Sequence, residues 1–194
     1  MLDKSIPYYN VLMKRQKGSP FKEQLPPTGF SFTKYSDGDD LHWAEIETSV
    51  GEFKDVQDGL RYFQDHYLPA KDEVLSRVVF LRNGAGEKIG TLSSWWNYTD
   101  DSRNSSLHWV AIKPEFQGKG LGRPLINYGI KTQIELDGDC DIYIHTQTWS
   151  HRAIALYLKE GFHIIEKETF GGYKNDFEAA LPFLQEKIGK ILCK

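Results

Sequence analysis

The chain's 194 residues suffice for one domain with a full core, and with 40% hydrophobic and 26% charged residues it is too apolar for disorder and too balanced for a coiled coil. A formal net charge of -3 and a pI near 6.1 exclude a general polyanion-wrapping surface, so no nucleic-acid partner is expected. No apolar run reaches the roughly 18 residues of a membrane span and the first fifteen residues lack a signal-peptide core, so the chain reads as cytoplasmic with no membrane partner.

In chain order, residues 8–15 and 28–35 read as strands separated by Pro26-Pro27, the second placing Phe30 and Phe32 on one side. After Asp39 the apolar period lengthens: Trp43, Ile46, Val50 and Phe53 predict one short helix, and Val56, Leu60, Phe63 and Tyr67 predict a second. Residues 77–83 and 87–97 read as strands joined by a Gly84-Ala85-Gly86 hairpin turn, and 105–112 as a further strand. Leu121, Leu125, Gly129, Thr132 and Leu136 mark one face of a helix, followed by an Asp137-Gly138-Asp139 turn. Strand 141–148, helix 150–160 and strand 162–170 complete the run, closed by Gly161 and Gly171-Gly172. From Asn175 the tail reads both ways at first, FEAAL fitting strand or helix, while Phe183, Leu184, Ile188, Ile191 and Leu192 after Pro182 favour a terminal helix. Cys140 and Cys193 lie outside any CxxC or His/Cys cluster, so two free thiols and no metal are expected.

Function becomes legible at Gly118, Gly120 and Gly122, within the segment Lys113–Arg123 that joins a strand to a helix. Amides there converge where the helix dipole is positive, and glycines admit a close ligand, so the loop suits a pyrophosphate. It is not a dinucleotide fingerprint, which would need glycine at Arg123, nor a Walker loop, which would need Lys then Ser or Thr. Glycines serving only a tight turn are the alternative.

The combination of VAIKPEFQGKGLGRPL with AIALYLKEGF about 40 residues later resembles the GNAT superfamily of acyl-CoA-dependent N-acetyltransferases. Gln117, Gly120 and Gly122 match that family's Gln/Arg-x-x-Gly-x-Gly/Ala loop. Ala153, Leu156, Tyr157, Gly161 and Phe162 match its second signature. One position departs: the helix commonly opens with Asn where this chain has Ser150, whose hydroxyl can still cap the helix and bond a CoA oxygen.

The resemblance implies an α/β (α+β) fold, a mixed, mostly antiparallel sheet with splayed central strands and flanking helices. It implies an N-acetyltransferase domain over 28–194, with residues 1–27 as an extension packing on it. Acetyl-CoA would be the co-substrate, its pantetheine pairing with the backbone of Val110, Ala111 and Ile112 between strands 105–112 and 141–148. A bulge there would leave amides unpaired, and one could polarise the thioester carbonyl. Gln117, Gly118, Lys119, Gly120, Leu121, Gly122, Arg123 and Ser150 would hold the cofactor's phosphates and amides, and Tyr157 would lie at the thioester sulfur as general acid.

The implied acceptor is a primary amine of a small molecule. Such an amine, with pKa ~10.4, is neutral at pH 7 in only about one molecule in 2,500, so a base is needed. Family members carry a carboxylate at the position of His108, whose imidazole, with pKa ~6.5, would match that task. A histidine satisfied within the sheet is the alternative. His145 is the second candidate, and Glu45 or Glu47 the third, against a solvated face. Trp95, Trp96, Trp109 and Trp149 read chiefly as core, the alternative being a ring that lines the acceptor site and attracts a protonated amine or stacks an aromatic substrate, and neighbouring Trp95 and Trp96 are expected to face apart. No cysteine stands at a nucleophile position, so direct attack in a ternary complex is expected. A protein N-terminal or lysine acceptor, a non-catalytic acyl-CoA sensor, and a homodimer remain open.

Overall fold

The computed structural model describes residues 2–192. In chain order these form β1 (Asn10–Arg15), β2 (Phe30–Lys34), α1 (Asp40–Val50), α2 (Val56–His66), α3 (Lys71–Arg77), β3 (Val78–Asn83), β4 (Lys88–Thr99), β5 (Ser102–Ile112), α4 (Gly122–Asp137), β6 (Ile142–Gln147), α5 (His151–Lys159), β7 (His163–Ile164) and α6 (Phe177–Leu192). The sheet order is β2-β3-β4-β5-β6-β1-β7. Pairing is antiparallel at β2–β3, β3–β4, β1–β6 and β1–β7, and parallel where Ser106 of β5 meets Tyr143 of β6. This is the mixed, mostly antiparallel sheet with helices that the sequence implied. Cys140 is a free thiol, and Cys193 lies outside the described residues. Among the described residues no helix is long and apolar enough to cross a membrane.

The chain divides into two compact units, the first comprising Gln24–Ser94 and Trp109–Thr132. Its α1 starts where the Asp39 carboxylate accepts the Ser36 amide, and stops at Gly51, whose φ of 91° lets its N–H reach the carbonyls of Glu47 and Thr48. Phe53, placed on the same helical stripe by its spacing, therefore lies beyond the helix end. The side chain of Asp55 caps α2 by accepting the Asp58 amide at 2.9 Å. The helix α3 was not expected. Its signal was available in Pro69 just before it, Asp72 and Glu73 in its first turn and Arg77 in its last. All of Val78–Leu81 in β3 is buried, so both faces of this strand are covered. Gly129 of α4 sits so close to β4 that a Cβ there would lie 2.5 Å from Leu92, and Ser94 Oγ donates to the Gly129 carbonyl at 3.0 Å.

The second unit comprises Leu2–Glu23, Trp95–His108 and the chain from Gln133 on. Here β1, drawn from the expected N-terminal extension, lies inside the sheet between β6 and β7, with Val11, Leu12 and Met13 buried. Leu12, Ile165 and Phe170 form a core packed by Tyr143 and Tyr173. The strand expected over 162–170 is regular only at His163–Ile164. Ile165 adds one bond to Leu12, but the Asn175 amide then takes the carbonyls of Ile165 and Glu168 and turns the chain away from the sheet. In the tail FEAAL is helical, the opening of α6. Trp95 and Trp96 do not face apart: their rings stack at 4.3 Å and 12°, and the Arg103 guanidinium lies 4.1 Å from the Trp96 ring. Alternation fixes where Cβ atoms point, and two indoles are long enough to fold back onto each other.

Candidate active site

The glycine loop belongs wholly to the first unit and is built on backbone. Pro114–Phe116 form a 3-10 turn, and the Gln117 side chain donates to the Ile112 carbonyl at 2.8 Å, tying the loop to the end of β5. Gly118 and Gly120 have φ of 76° and 77°, a region that other L-residues rarely adopt, and nothing lies within 4 Å of a Cβ built on either. Leu121 is buried beneath the loop and its carbonyl accepts the Leu125 amide, so Gly122 and Arg123 form the first turn of α4. Gly118, Lys119, Gly120 and Arg123 are exposed, with Lys119 Nζ 4.7 Å from the Phe116 ring. A positive helix end under an open, side-chain-free cradle, flanked by two cations, is a fit for a pyrophosphate.

The strand leading into the loop carries an irregularity at Trp109, whose φ of 52° is left-handed. For a residue with a side chain this costs about 1–2 kcal/mol and, inside a strand, is the mark of a bulge. Ring packing holds it: Trp109 lies 5.2 Å from Trp43, 5.2 Å from Phe53 and 5.1 Å from Tyr62. This left-handed residue stands immediately before Val110, Ala111 and Ile112, where the bulge was expected.

In the second unit, α5 carries Tyr157, which is 4% exposed with its ring edge-on to Phe162 at 6.0 Å. The Gly-Phe pair is a helix stop: Gly161 has φ of 87°, and the Phe162 amide returns to the Tyr157 carbonyl at 3.1 Å. Ser150 occupies the N-cap position, but its side chain makes no capping bond there, in contrast to the capping role expected of it.

His108 of β5 is gripped by side chains: Ser106 Oγ lies 2.7 Å from its Nε2 and Asn97 Nδ2 lies 3.0 Å away. An amide donor at Nε2 places the ring proton on Nδ1. Burial, reinforced by the nearby His145, pushes the His108 pKa down to about 4. The ordinary imidazole value expected from the sequence is therefore corrected; the ring is neutral through the physiological range. Burial brings His145 down to about 4 as well. It stacks on Tyr173 at 3.8 Å and meets Asn10 Oδ1 at 3.0 Å. Asn97 also bonds the Tyr173 hydroxyl, whose pKa burial raises. Ser106 shares a strand face with His108, a signal readable from the i, i+2 spacing. Asn97 had none, because only the fold brings β4 beside β5.

The two glutamates of α1 have opposite surroundings. Glu45 is partly exposed and pairs with His42 at 3.3 Å. Glu47 is 1% exposed, and burial, with the charge of Glu52, pushes its pKa well above the usual carboxylate range.

Residues 39–162, more than half of the chain, match the model of the acetyltransferase (GNAT) family. A mycothiol acetyltransferase of Propionibacterium freudenreichii is 26% identical over 112 residues, which is 56% of this chain and 33% of that protein. Among solved structures, a GCN5-related N-acetyltransferase from Sphaerobacter thermophilus superposes with a TM-score of 0.59 at 16% identity, over 80% of this chain and 48% of that one. The spermidine N-acetyltransferase of Vibrio cholerae, solved with CoA and spermine, gives 0.51 at 19% identity, over 69% of this chain and 80% of that one. The chain thus spans a third of that curated relative and about half of the first of these structures, and the structural likenesses speak to fold alone. With the family match covering the glycine loop and the Tyr157 helix together, the chain belongs to the GNAT acetyltransferase family.

Proposed function

We propose that this chain transfers the acetyl group of acetyl-CoA to a primary amine of a small molecule, by direct attack in a ternary complex. The observation that carries the reading is the cradle at the start of α4: two left-handed glycines, Gly118 and Gly120, with open space where side chains would be, leading into a helix N-terminus. Amides of Gly118–Gly122 would hold the pyrophosphate, Lys119 and Arg123 would offset its charge, and the backbone of Val110, Ala111 and Ile112 would pair with the pantetheine amides. Gln117 and Leu121 shape the loop from below, and Ser150 adds a hydroxyl for CoA.

In the reaction the amine nitrogen forms a bond to the thioester carbonyl carbon, the C–S bond breaks, the nitrogen loses a proton and the thiolate gains one. Tyr157 would supply the proton to sulfur; a thiolate with pKa ~8.5 is already a fair leaving group, so this help is modest. His108 would take the proton from nitrogen. Its low pKa makes it a poor base toward a free alkylammonium, so it would act after attack, when bond formation has acidified the nitrogen. Ser106, in contact with Nε2, carries both a donor and an acceptor and could pass the proton on.

One observation favours a second reading, an acyl-CoA-binding sensor without chemistry: the half-buried, weakly basic His108, whose Nε2 is already engaged by Ser106 and Asn97. Calorimetry with CoA, followed by free-thiol release from acetyl-CoA over an amine panel, separates the two. The enzyme binds CoA and releases thiol with a subset of amines; the sensor binds CoA and releases none. A protein acceptor would give thiol release with peptide amines alone.

A further inference from the structure

The first unit holds a buried carboxyl group that the proposed reaction does not use. Glu47 is 1% exposed, and its Oε1 has no hydrogen-bond partner among the described residues. One helical turn earlier, on the same face of α1, the indole N–H of Trp43 is likewise buried and unpartnered among the described residues. Such orphans are costly, on the order of 1–3 kcal/mol for a neutral group and more for a charge, and two on one face are not explained by packing.

The rings around them are arranged about Trp43. Phe53 lies 5.7 Å from it, Tyr62 6.3 Å and Tyr67 6.2 Å, and Trp109 closes the group at 5.2 Å. Trp43 is fully buried, while Phe53, Tyr62 and Trp109 keep some exposure, so the aromatic surface opens outward at those three. Aromatic faces attract cations, and a cation beside the buried Glu47 carboxyl would favour its charged form, which burial alone disfavours. A neutral donor would satisfy Oε1 without favouring the charged carboxylate, and an anion would be repelled. Trp109, with its left-handed φ, also immediately precedes Val110–Ile112, so the cluster borders the strand to which the acetyl donor is assigned.

We propose that Glu47, one helical turn from Trp43 of the Trp43–Phe53–Tyr62–Trp109 cluster, is the counter-ion that binds a small organic ammonium ion, with the rings holding the body that carries it. This rests on, and narrows, the reading of the chain as an amine acetyltransferase: the acceptor is a cationic amine with an apolar or aromatic body. Glu47 touches the substrate in this arrangement and fixes the ammonium before attack. In so dry a site the ammonium–carboxylate pair is also poised to return to neutral amine and carboxylic acid, the proton passing from nitrogen to Glu47.

The test uses thermal shift at pH 7.5 with benzylamine hydrochloride against benzyl alcohol, on the full chain and on Glu47→Gln, which keeps the shape and cannot ionise. Expected is a dose-dependent rise in Tm with benzylamine and none with the alcohol, the rise being lost in Glu47→Gln. If Glu47→Gln fails to fold, Glu47→Met, of similar length and without a polar head, takes its place. Equal shifts in both proteins, or none in the wild type, overturn the proposal. In parallel, for any amine that is acetylated, Glu47→Gln should raise KM at least tenfold while CoA affinity by calorimetry stays constant. Acetylation with an unchanged KM overturns the Glu47 site and leaves the acetyltransferase reading standing. A Glu47-dependent shift with no thiol release from any amine supports the ammonium site and overturns that reading.

Discussion

The glycine loop at the start of α4 and His108 of β5, with His145 of β6 nearby, are made of different material, although the loop and His108 are proposed to serve one reaction. The loop is backbone. Its properties follow from two left-handed glycines and a helix end, which lie within a few residues of one another in sequence. The histidines are side chains whose chemistry is set by what surrounds them: burial takes both from an ordinary imidazole value to about 4, and bonds from Ser106, Asn97 and Asn10 fix their rings. Backbone geometry set by neighbouring residues carries over from sequence to structure, whereas a side chain's acid–base character, set by its surroundings, does not.

The largest effect expected breaks the loop side of this comparison. Gly120→Asp puts a branching side chain on a left-handed residue and a negative charge at a helix N-terminus. Loss of about 2–3 kcal/mol of CoA binding, or roughly 30- to 150-fold in Kd, is expected by calorimetry on the folded variant. Unchanged affinity would remove the loop from the site. Next comes Tyr157→Phe, which should slow kcat by roughly ten- to a hundredfold and leave CoA affinity unchanged, because a thiolate can leave without help.

The histidine side is sharpened by pH. Both rings titrate near 4 in the folded protein and near 6.5 when free, so the unfolded chain binds more protons between those values. Stability should therefore rise with pH across about 4 to 6.5 and be lost as pH falls through that window; His108→Gln should flatten part of the slope in chemical denaturation measured at successive pH values. An acid limb of kcat/KM carried by His108 should lie near pH 4, not near 6 to 7, and vanish in the variant. The smallest effect expected is a gain: Ser150→Asn restores the family's usual residue at the start of α5 and should tighten CoA binding by roughly two- to fivefold, within the ~0.5–1 kcal/mol of a single added hydrogen bond.

The same contrast explains what could be read in advance. The α4 loop and the Tyr157–Gly161–Phe162 turn were legible because a left-handed glycine that ends or opens a helix is a local event. The end of α1 was misplaced by the apolar spacing of Phe53, although Gly51 carried the stop signal. The short β7 was not legible, since it depends on Asn175 competing for strand carbonyls from ten residues away. Nor was the stacking of Trp95 on Trp96, which strand alternation argues against. His108 was found as a residue and misjudged as a base, because its neighbours Asn97 and His145 come from other strands. Glu47 stood among the candidates on position alone; its orphaned oxygen belongs to the folded chain.

The central claim is that this chain moves an acetyl group to an amine using the α4 cradle, and the direct measurement is free-thiol release from acetyl-CoA across an amine panel, run side by side on the wild type and Gly120→Asp. Amine-dependent release by the wild type is expected, falling steeply in the variant at subsaturating acetyl-CoA. CoA binding without thiol release from any amine, or release that Gly120→Asp leaves untouched, would contradict it.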